Sequence, residues 1–436
     1  MVAMVRKLAN TLLSAAFLVT LAIGCEHSNP IPAANPHKTQ VPVAATSSRP
    51  STSIVAQGCH FAIATENESA TKAAEATLRS GGNAVDAAVT AALVLGVVNP
   101  TASGIGGGGF ALVWDEKAKA VRAFDFRESA PRDIAPSSLD ERPVQESRRG
   151  VLVGVPGEVA GLHAIHKIWG KRSFAQDVEA AIVLAKDGFA ISPHMARAIG
   201  HHAVALARVP ELKELLLPTG EALKRGDVAK NPRLAATLSE IAQQGPKAFY
   251  QGAIAKDMIE AARAFGSTLS ERDFDDYHVI ERVALHASYD GLDVYTMPPP
   301  SAGGLLFLQT LGMHSPENLR GLGLRSGGYV HLLAETFRAS LADRVRNVGD
   351  PAFVPDPSQA LLDPAHLAAM RERIRSDVTT DIPSWSLREG GTSHLVVTDC
   401  DGNVVSLTTT VNDPFGSRIV GSQSGVLLND ELDDFA

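Results

Sequence analysis

The sequence predicts an α+β protein with helices outside stacked sheets. Three observations carry that expectation. Segments with helical and strand periodicity are mixed along the folded region. One helical segment, Ala84 to Val98, has only Asp86 and Thr90 as polar residues and so suits burial between layers. The end of the chain is strand-rich, with two runs flanking a turn signal. At 436 residues the chain can bury a large core.

The first residues read as a targeting segment, not as part of the fold. Arg6 and Lys7 form a basic start, Leu8 to Ile23 is mainly apolar, and Gly24-Cys25 follows. The run is too short for a membrane span and has signal-peptide flanks. Residues 1 to 25 are therefore assigned as a lipoprotein-type signal with Cys25 as the lipidation site. Ala22 stands where such signals usually carry Leu, so the alternative is an ordinary secretory signal. Either way the protein is expected to be exported to the periplasm or cell envelope, anchored by lipid in the first case. Residues 26 to 55 form a Pro/Ser/Thr-rich tether with little to bury.

The folded part begins near residue 56. Ala70 to Arg79 reads as a helix stopped by Gly81-Gly82. Asn83 is a plausible N-cap for the helix from Ala84 to Val98, which Asn99-Pro100 ends. Phe110 to Trp114 and Ala120 to Phe126 read as strands. Further helices are expected over Val159 to Ile168, Val178 to Asp187, Leu234 to Gln244 and Tyr329 to Arg344, the last with Leu333, Phe337 and Leu341 on one face. Ser393 to Thr398 and Val404 to Val411 flank Cys400-Asp401-Gly402-Asn403, a hairpin signal. A two-residue loop would pair Thr392 with Val411. A three-residue loop, with Gly402 left-handed, would pair Thr392 with Thr410 and is favoured because it opposes two hydroxyls.

Composition excludes several functions. The formal net charge is −8 and no basic stretch appears, so a nucleic-acid partner is not expected. Three cysteines, one of them assigned to lipid, make neither a disulfide framework nor a zinc cluster. A single Cys59–Cys400 bridge stays open. Gly104-Ile105-Gly106-Gly107-Gly108-Gly109 matches a dinucleotide fingerprint in letters only, because it follows a helix and opens a strand. A tight backbone crossing near a site is the better reading, and a bland flexible loop fits the letters about equally well. No H-E-x-x-H motif occurs among the 14 histidines. Gly421-Ser422-Gln423-Ser424-Gly425 lacks a central Ser, which disfavours a Ser-His-Asp enzyme.

The informative stretch is Gly390-Gly391-Thr392-Ser393-His394. After it come Asp401-Gly402-Asn403, Thr408 to Thr410, Asn412, Phe415-Gly416, Ser424-Gly425, Leu427-Leu428-Asn429 and Asp433-Asp434-Phe435. In order and spacing these resemble the small subunit of the γ-glutamyltranspeptidase family. Upstream, Gly82 to Ala87, the glycine loop, Asp125-Phe126-Arg127-Glu128, Gly154-Val155-Pro156-Gly157, Pro298 to Gly304 and Ala342-Asp343-Arg344 resemble its large subunit. The likeness runs from about Ile54 to the last residue. It implies a four-layer αββα sandwich of the N-terminal-nucleophile hydrolase type, with residues 56 to 391 as the large-subunit region and 392 to 436 as the start of the small one.

The resemblance also implies a mechanism. The precursor cuts itself between Gly391 and Thr392, and Thr392 becomes an N-terminal nucleophile. Its freed α-amine, with a reference pKa of about 7.7–8.0, serves as its own base. Thr410 matches the residue that bonds that amine. Arg127 matches the arginine that grips the substrate carboxylate, a task its guanidinium fork suits. Asn412, Glu431 and Asp434 match positions that receive the α-ammonium, and Glu431 stands where some members carry Gln. No cofactor or metal is expected. The substrates are γ-glutamyl compounds such as glutathione, with water, amino acids or peptides as acceptors. Arg127 pairing merely with Asp125 or Glu128 is the plainer alternative.

The chain departs from the family by stopping at Ala436, directly after Asp433-Asp434-Phe435. The resemblance implies a longer small subunit, with a serine pair for the carboxylate and a Gly-Gly oxyanion hole beyond that point. The alternatives kept are a related acylase or γ-polyglutamate-processing enzyme of the same fold, and a truncated, inactive envelope protein.

Overall fold

The computed structural model describes residues 58, 60–140, 144–379 and 391–435. The signal segment with Cys25, the tether over residues 26–55, Cys59 and Gly390 lie outside the described residues. Cys400 is free and exposed.

The frame is a six-stranded antiparallel sheet with helices on one face. Its strands are β1 (Ala62–Ala64), β2 (Gly108–Asp115), β3 (Ala120–Phe126), β4 (Ile280–Arg282), β5 (Gly391–Thr398) and β6 (Val404–Asn412), in spatial order β1-β5-β6-β2-β3-β4. The hairpin β5–β6 lies inside this order; the proposed nucleophile sits at the start of β5, where the strand pairs with β6, while β1 pairs only with Val396 to Thr398.

The helices follow from their caps. Asn67 accepts the Ser69 N–H and starts α1 (Glu68–Arg79). Asn83 and Asp86 form a capping box that starts α2 (Ala84–Val98). Fourteen of the fifteen residues of α2 are buried, the sandwiched position its composition implies. This helix packs on β5 and β6, and α3 (Glu158–Trp169) packs on β2 and β3. Residues Ser393, Leu395, Val397, Val405, Leu407 and Thr409 point to that helical side and are buried. Thr392, His394 and Thr408 alternate to the other side.

Two expectations need adjusting. Of the four layers, the described residues supply one large sheet and the helices packed on it, while the other strands form two-stranded ribbons. In the helix α4 (Gly327–Asn347), Leu333, Phe337 and Leu341 are only half-buried. Its buried set is Tyr329, Glu335, Thr336, Ser340 and Ala342, and Thr336 Oγ1 bonds His314 Nε2 at 2.7 Å. A polar stripe with specific partners outranks the apolar one there.

The hairpin has the favoured register. Thr392 faces Thr410, and a bulge between Thr410 and Asn412 sets Asn412 opposite Gly391. Asp399 N donates to Asn403 O (3.2 Å) across a three-residue loop. Gly402 in that loop has φ of +92°.

Candidate active site

The centre of the site is one hydroxyl with three neighbours. Thr410 Oγ1 lies 2.8 Å from the Gly391 carbonyl oxygen and 3.1 Å from Thr392 Oγ1, and it accepts the Asn412 N–H at 2.9 Å. A carbonyl can only accept, so the single Thr410 proton goes to Gly391 O. Thr410 Oγ1 is then left to accept the Thr392 proton. The geometry thus polarises the Gly391 carbonyl and orients the Thr392 hydroxyl beside it. Gly391 is required by space: a Cβ there would stand 2.2 Å from Thr101 O.

Next to Thr392, Ser393 is fixed on the buried side. Its hydroxyl donates to Glu66 Oε2 (3.0 Å) and accepts from Asn99 Nδ2 (3.2 Å). The glycine loop is the tight crossing expected of it. Cβ atoms at Gly106, Gly107 and Gly109 would meet the carbonyl oxygens of Leu427, Thr410 and Thr408 at 2.0, 1.9 and 2.0 Å.

The charged half of the site is built from β3 and the turn Glu431–Asp434. Arg127 Nη2 pairs with Glu431 Oε1, its Nε lies 3.8 Å from Glu128 Oε2, and its guanidinium covers the Phe110 ring at 5.4 Å. Asp125 takes only the Arg127 backbone N–H (3.0 Å) and gives its other oxygen to Arg282 (2.7 Å). The Arg127 side chain is therefore aimed at Glu431. Asn412, at φ +74°, donates to Asp430 O (3.2 Å) and links the hydroxyl cluster to that turn. Asp434 is exposed at the end of the turn, and its charge reaches Glu128.

Burial pushes the Glu128 carboxyl up to about 7, with Arg127 opposing in part. Asp430 also rises to about 7, first through burial and then through Asp413. Carboxyls pushed to neutrality in this way occur at working sites and in buried ion-pair networks alike.

The profile of the gamma-glutamyltranspeptidase family matches residues 70–436. The chain belongs to the γ-glutamyltranspeptidase family. It is 38% identical over 399 residues to a glutathione hydrolase proenzyme of Bacillus subtilis, covering 86% of this chain and 68% of that protein. Among solved structures it is similar to the γ-glutamyltranspeptidase of Helicobacter pylori, with TM-score 0.68 and 31% identity over 74% of this chain and 96% of that one. It also shares a fold with a cephalosporin acylase from Bacillus halodurans, with TM-score 0.77 and 22% identity, over 95% of this chain and 74% of that one.

Several residues around this site of a γ-glutamyltranspeptidase-family chain were given no role by sequence reasoning. Asn429 is fully buried and ties three motifs together. Its Nδ2 donates to Gly106 O (2.8 Å) and Gly154 O (2.9 Å), and its Oδ1 accepts from Gly154 N (3.0 Å) and Glu431 N (3.1 Å). A lone Asn ending the apolar run Val426-Leu427-Leu428 was the available signal. Glu158 and Thr101 gave none.

A second buried cluster stands away from the site. His166 Nε2 lies 3.4 Å from Asp177 Oδ2, 3.6 Å from Asp86 Oδ1 and 3.0 Å from Arg172 O. Burial opposes charge on His166, but Asp177 and Asp86 outweigh it and hold the imidazole above its usual range. Arg172 Nε donates to Asp177 Oδ1 (2.9 Å). Burial holds the Asp177 carboxyl above its usual range, with His166 and Arg172 opposing in part. The cluster is thus a brace between α2, α3 and the helix Phe174–Asp187.

Proposed function

We propose that this chain is a γ-glutamyltransferase and glutathione hydrolase precursor that matures by cleaving its own Gly391–Thr392 bond. The observation that carries the proposal is the Thr410 hydroxyl shared between Thr392 Oγ1 and Gly391 O. Thr392 Oγ1 attacks the Gly391 carbonyl carbon, the peptide C–N bond breaks, and an ester replaces the amide. Water then hydrolyses the ester, leaving a carboxylate on Gly391 and a free amine on Thr392. That amine becomes the base for the Thr392 hydroxyl in turnover.

The charged pocket supports a γ-glutamyl donor. Such a donor brings an α-carboxylate and an α-ammonium together. Arg127 and Glu431 neutralise each other, and a zwitterion can replace both halves of that pair without stranding a charge. Asn412 and Asp434 complete the ammonium side. A glutaryl group carries no ammonium and would leave Glu431 unmatched. Attack of Thr392 on the γ-carbonyl gives a γ-glutamyl ester and releases the amine. Water then yields glutamate, or an amino acid or peptide takes the γ-glutamyl group. Export, with lipid attached at Cys25, is part of the same proposal and rests on the signal-like start of the sequence.

The test is Thr392→Ala. It should abolish both the appearance of two bands, the smaller beginning at residue 392, and the hydrolysis of a γ-glutamyl anilide. A glutaryl anilide should be a poor substrate for the native protein. Persistent cleavage in the variant would remove Thr392 from the mechanism. Metabolic labelling with palmitate tests Cys25, and no label on the wild type would reject the anchor.

A further inference from the structure

Glu158 is a buried acid that no step above uses. It is the first residue of α3, after Gly157, and is 1% exposed. Both of its carboxyl oxygens are shut from solvent, and neither completes a hydrogen bond. Thr409 is fully buried, and its hydroxyl is unpartnered in the same way. The two are neighbours, since the Thr409 hydroxyl is the group that favours a charge on Glu158. Each is therefore the other's available partner. Thr409 points to the helical side of the strand whose next residue, Thr410, holds the nucleophile on the opposite side.

The backbone repeats the connection. Gly157 N and Glu158 N both donate to Gly107 O, at 2.8 and 3.0 Å. Gly107 abuts Thr410 O so closely that a Cβ would stand 1.9 Å from it. Glu158 thus sits directly beneath the Thr409–Thr410 segment. On its other flank is Glu128, whose side chain is also fully buried and lies beside Arg127.

We propose that Glu158 is a positioning residue that acts, uncharged, through Thr409 on the strand carrying Thr410 and through Glu128 on the surroundings of Arg127. Among the described residues, the groups that act electrostatically on Glu158 or feel its charge are Glu128, Thr409, Tyr250 and Tyr277, and none of these is a cation. The positive end of α3 favours a carboxylate. A dry carboxylate without a cation costs more than that end returns, so the proton stays. Burial, then the nearby Glu128, holds the Glu158 carboxyl well above the usual range. An uncharged carboxyl can donate to Thr409 Oγ1, and Thr409 then keeps β6 in place behind the Thr392–Thr410 pair. It also adds no second negative charge beside Glu128, which leaves Arg127 available to a carboxylate.

The kinetic arm of the test rests on the γ-glutamyl reading; the thermal arm does not. In the thermal arm, Tm is followed from pH 5 to 8 for the wild type and Glu158→Gln. A native state that keeps a proton which the unfolded chain releases near pH 4.3 loses stability as pH rises. The wild type should therefore fall more steeply than the glutamine variant. Parallel curves would overturn the proposal.

In the kinetic arm, Glu158→Leu and Thr409→Val should each lower kcat about tenfold, the worth of one neutral hydrogen bond, with little change in KM. Their double variant should be no worse than the poorer single one, and Glu158→Gln should recover most of the loss seen with Leu. Multiplying losses, or Glu158→Leu turning over at the native rate, would refute the coupling. If the wild type leaves γ-glutamyl anilide untouched, the self-cleavage rate read on gels replaces kcat in the same comparison. Failure of the substrate reading is then distinct from failure of the positioning role.

Discussion

Replacing Thr410 by Val separates the hydroxyl from the shape. Valine keeps the branched β-carbon that fits a strand, and loses only the oxygen. That oxygen makes three contacts: to Gly391 O at 2.8 Å, to Thr392 Oγ1 at 3.1 Å and from Asn412 N at 2.9 Å. The first is the kinetic one. As Thr392 adds to the carbonyl, Gly391 O gains negative charge, and losing one preorganised donor to such an oxygen costs about 10²–10³ in rate. The third is structural. The buried Asn412 N–H loses its acceptor, a loss of about 1–3 kcal/mol in stability. The assay is the conversion of purified precursor into two bands over time, with Tm measured alongside. Thr410→Val should mature at least about 100-fold more slowly than the wild type. Thr410→Ser keeps the oxygen and should stay within about tenfold. A valine variant that matures at the native rate while its Tm falls would show that the hydroxyl only braces the strand.

Arg127→Ala should raise KM for a γ-glutamyl anilide by 10²-fold or more, the order expected when a charged hydrogen-bonded partner is removed, while self-cleavage proceeds normally. Equal loss of both on gels and in rates would assign Arg127 to folding. Gly391→Ala drives a Cβ to 2.2 Å from Thr101 O, so the variant precursor should stay as one band; normal processing would show that the strand start can yield. Glu128 has its proton in the native state up to about pH 7 and releases it near pH 4.3 when unfolded. Its contribution to stability is therefore whole below about pH 4.3 and lost as pH rises through about 7. Above that point its charge competes for Arg127, so KM should climb with pH in the wild type and stay flat in Glu128→Gln. A climb that survives the substitution would assign the titration elsewhere, Asp430 being the next group to test.

What was legible in the sequence is what local chemistry writes. The ends of α2 and of β3 follow from Asn83, Asn99-Pro100 and the run Ala120 to Phe126, and they fall where expected. The register of β5 on β6 could be argued from a single glycine, because loop length and strand pairing are tied together. Helix starts were less legible. The helix expected from Val178 begins at Phe174, since Ser173 and Gln176 form a capping box outside the apolar pattern. The edge strand Ala62–Ala64 is too short to show alternation, and only its pairing with Val396 to Thr398 defines it. Glu158 was invisible for a different reason. Its meaning comes from Thr409, far along the chain, and a helix-starting Glu normally reads as a solvated residue at the positive end of a helix.

On the two faces of β6, the chemistry could be assigned before its support. On the outer face, Thr410 and Thr392 lie in motifs that resemble the γ-glutamyltranspeptidase small subunit, and that resemblance, not the strand pattern, assigns them. On the inner face, Thr409 belongs to the same run of threonines but is fully buried, on the side where Leu407 and Val405 pack. A strand that carries a reacting group's partner on one side needs its other side fixed, because a shift of about 1 Å would break the 2.8 Å contact to Gly391 O. Apolar packing alone resists compression well but resists sliding along the strand poorly. A directional contact at Thr409 resists sliding. The buried acid beneath it is therefore where a strand this exposed to reaction would be expected to spend a polar residue, and an apolar core there would hold Thr410 less firmly in line.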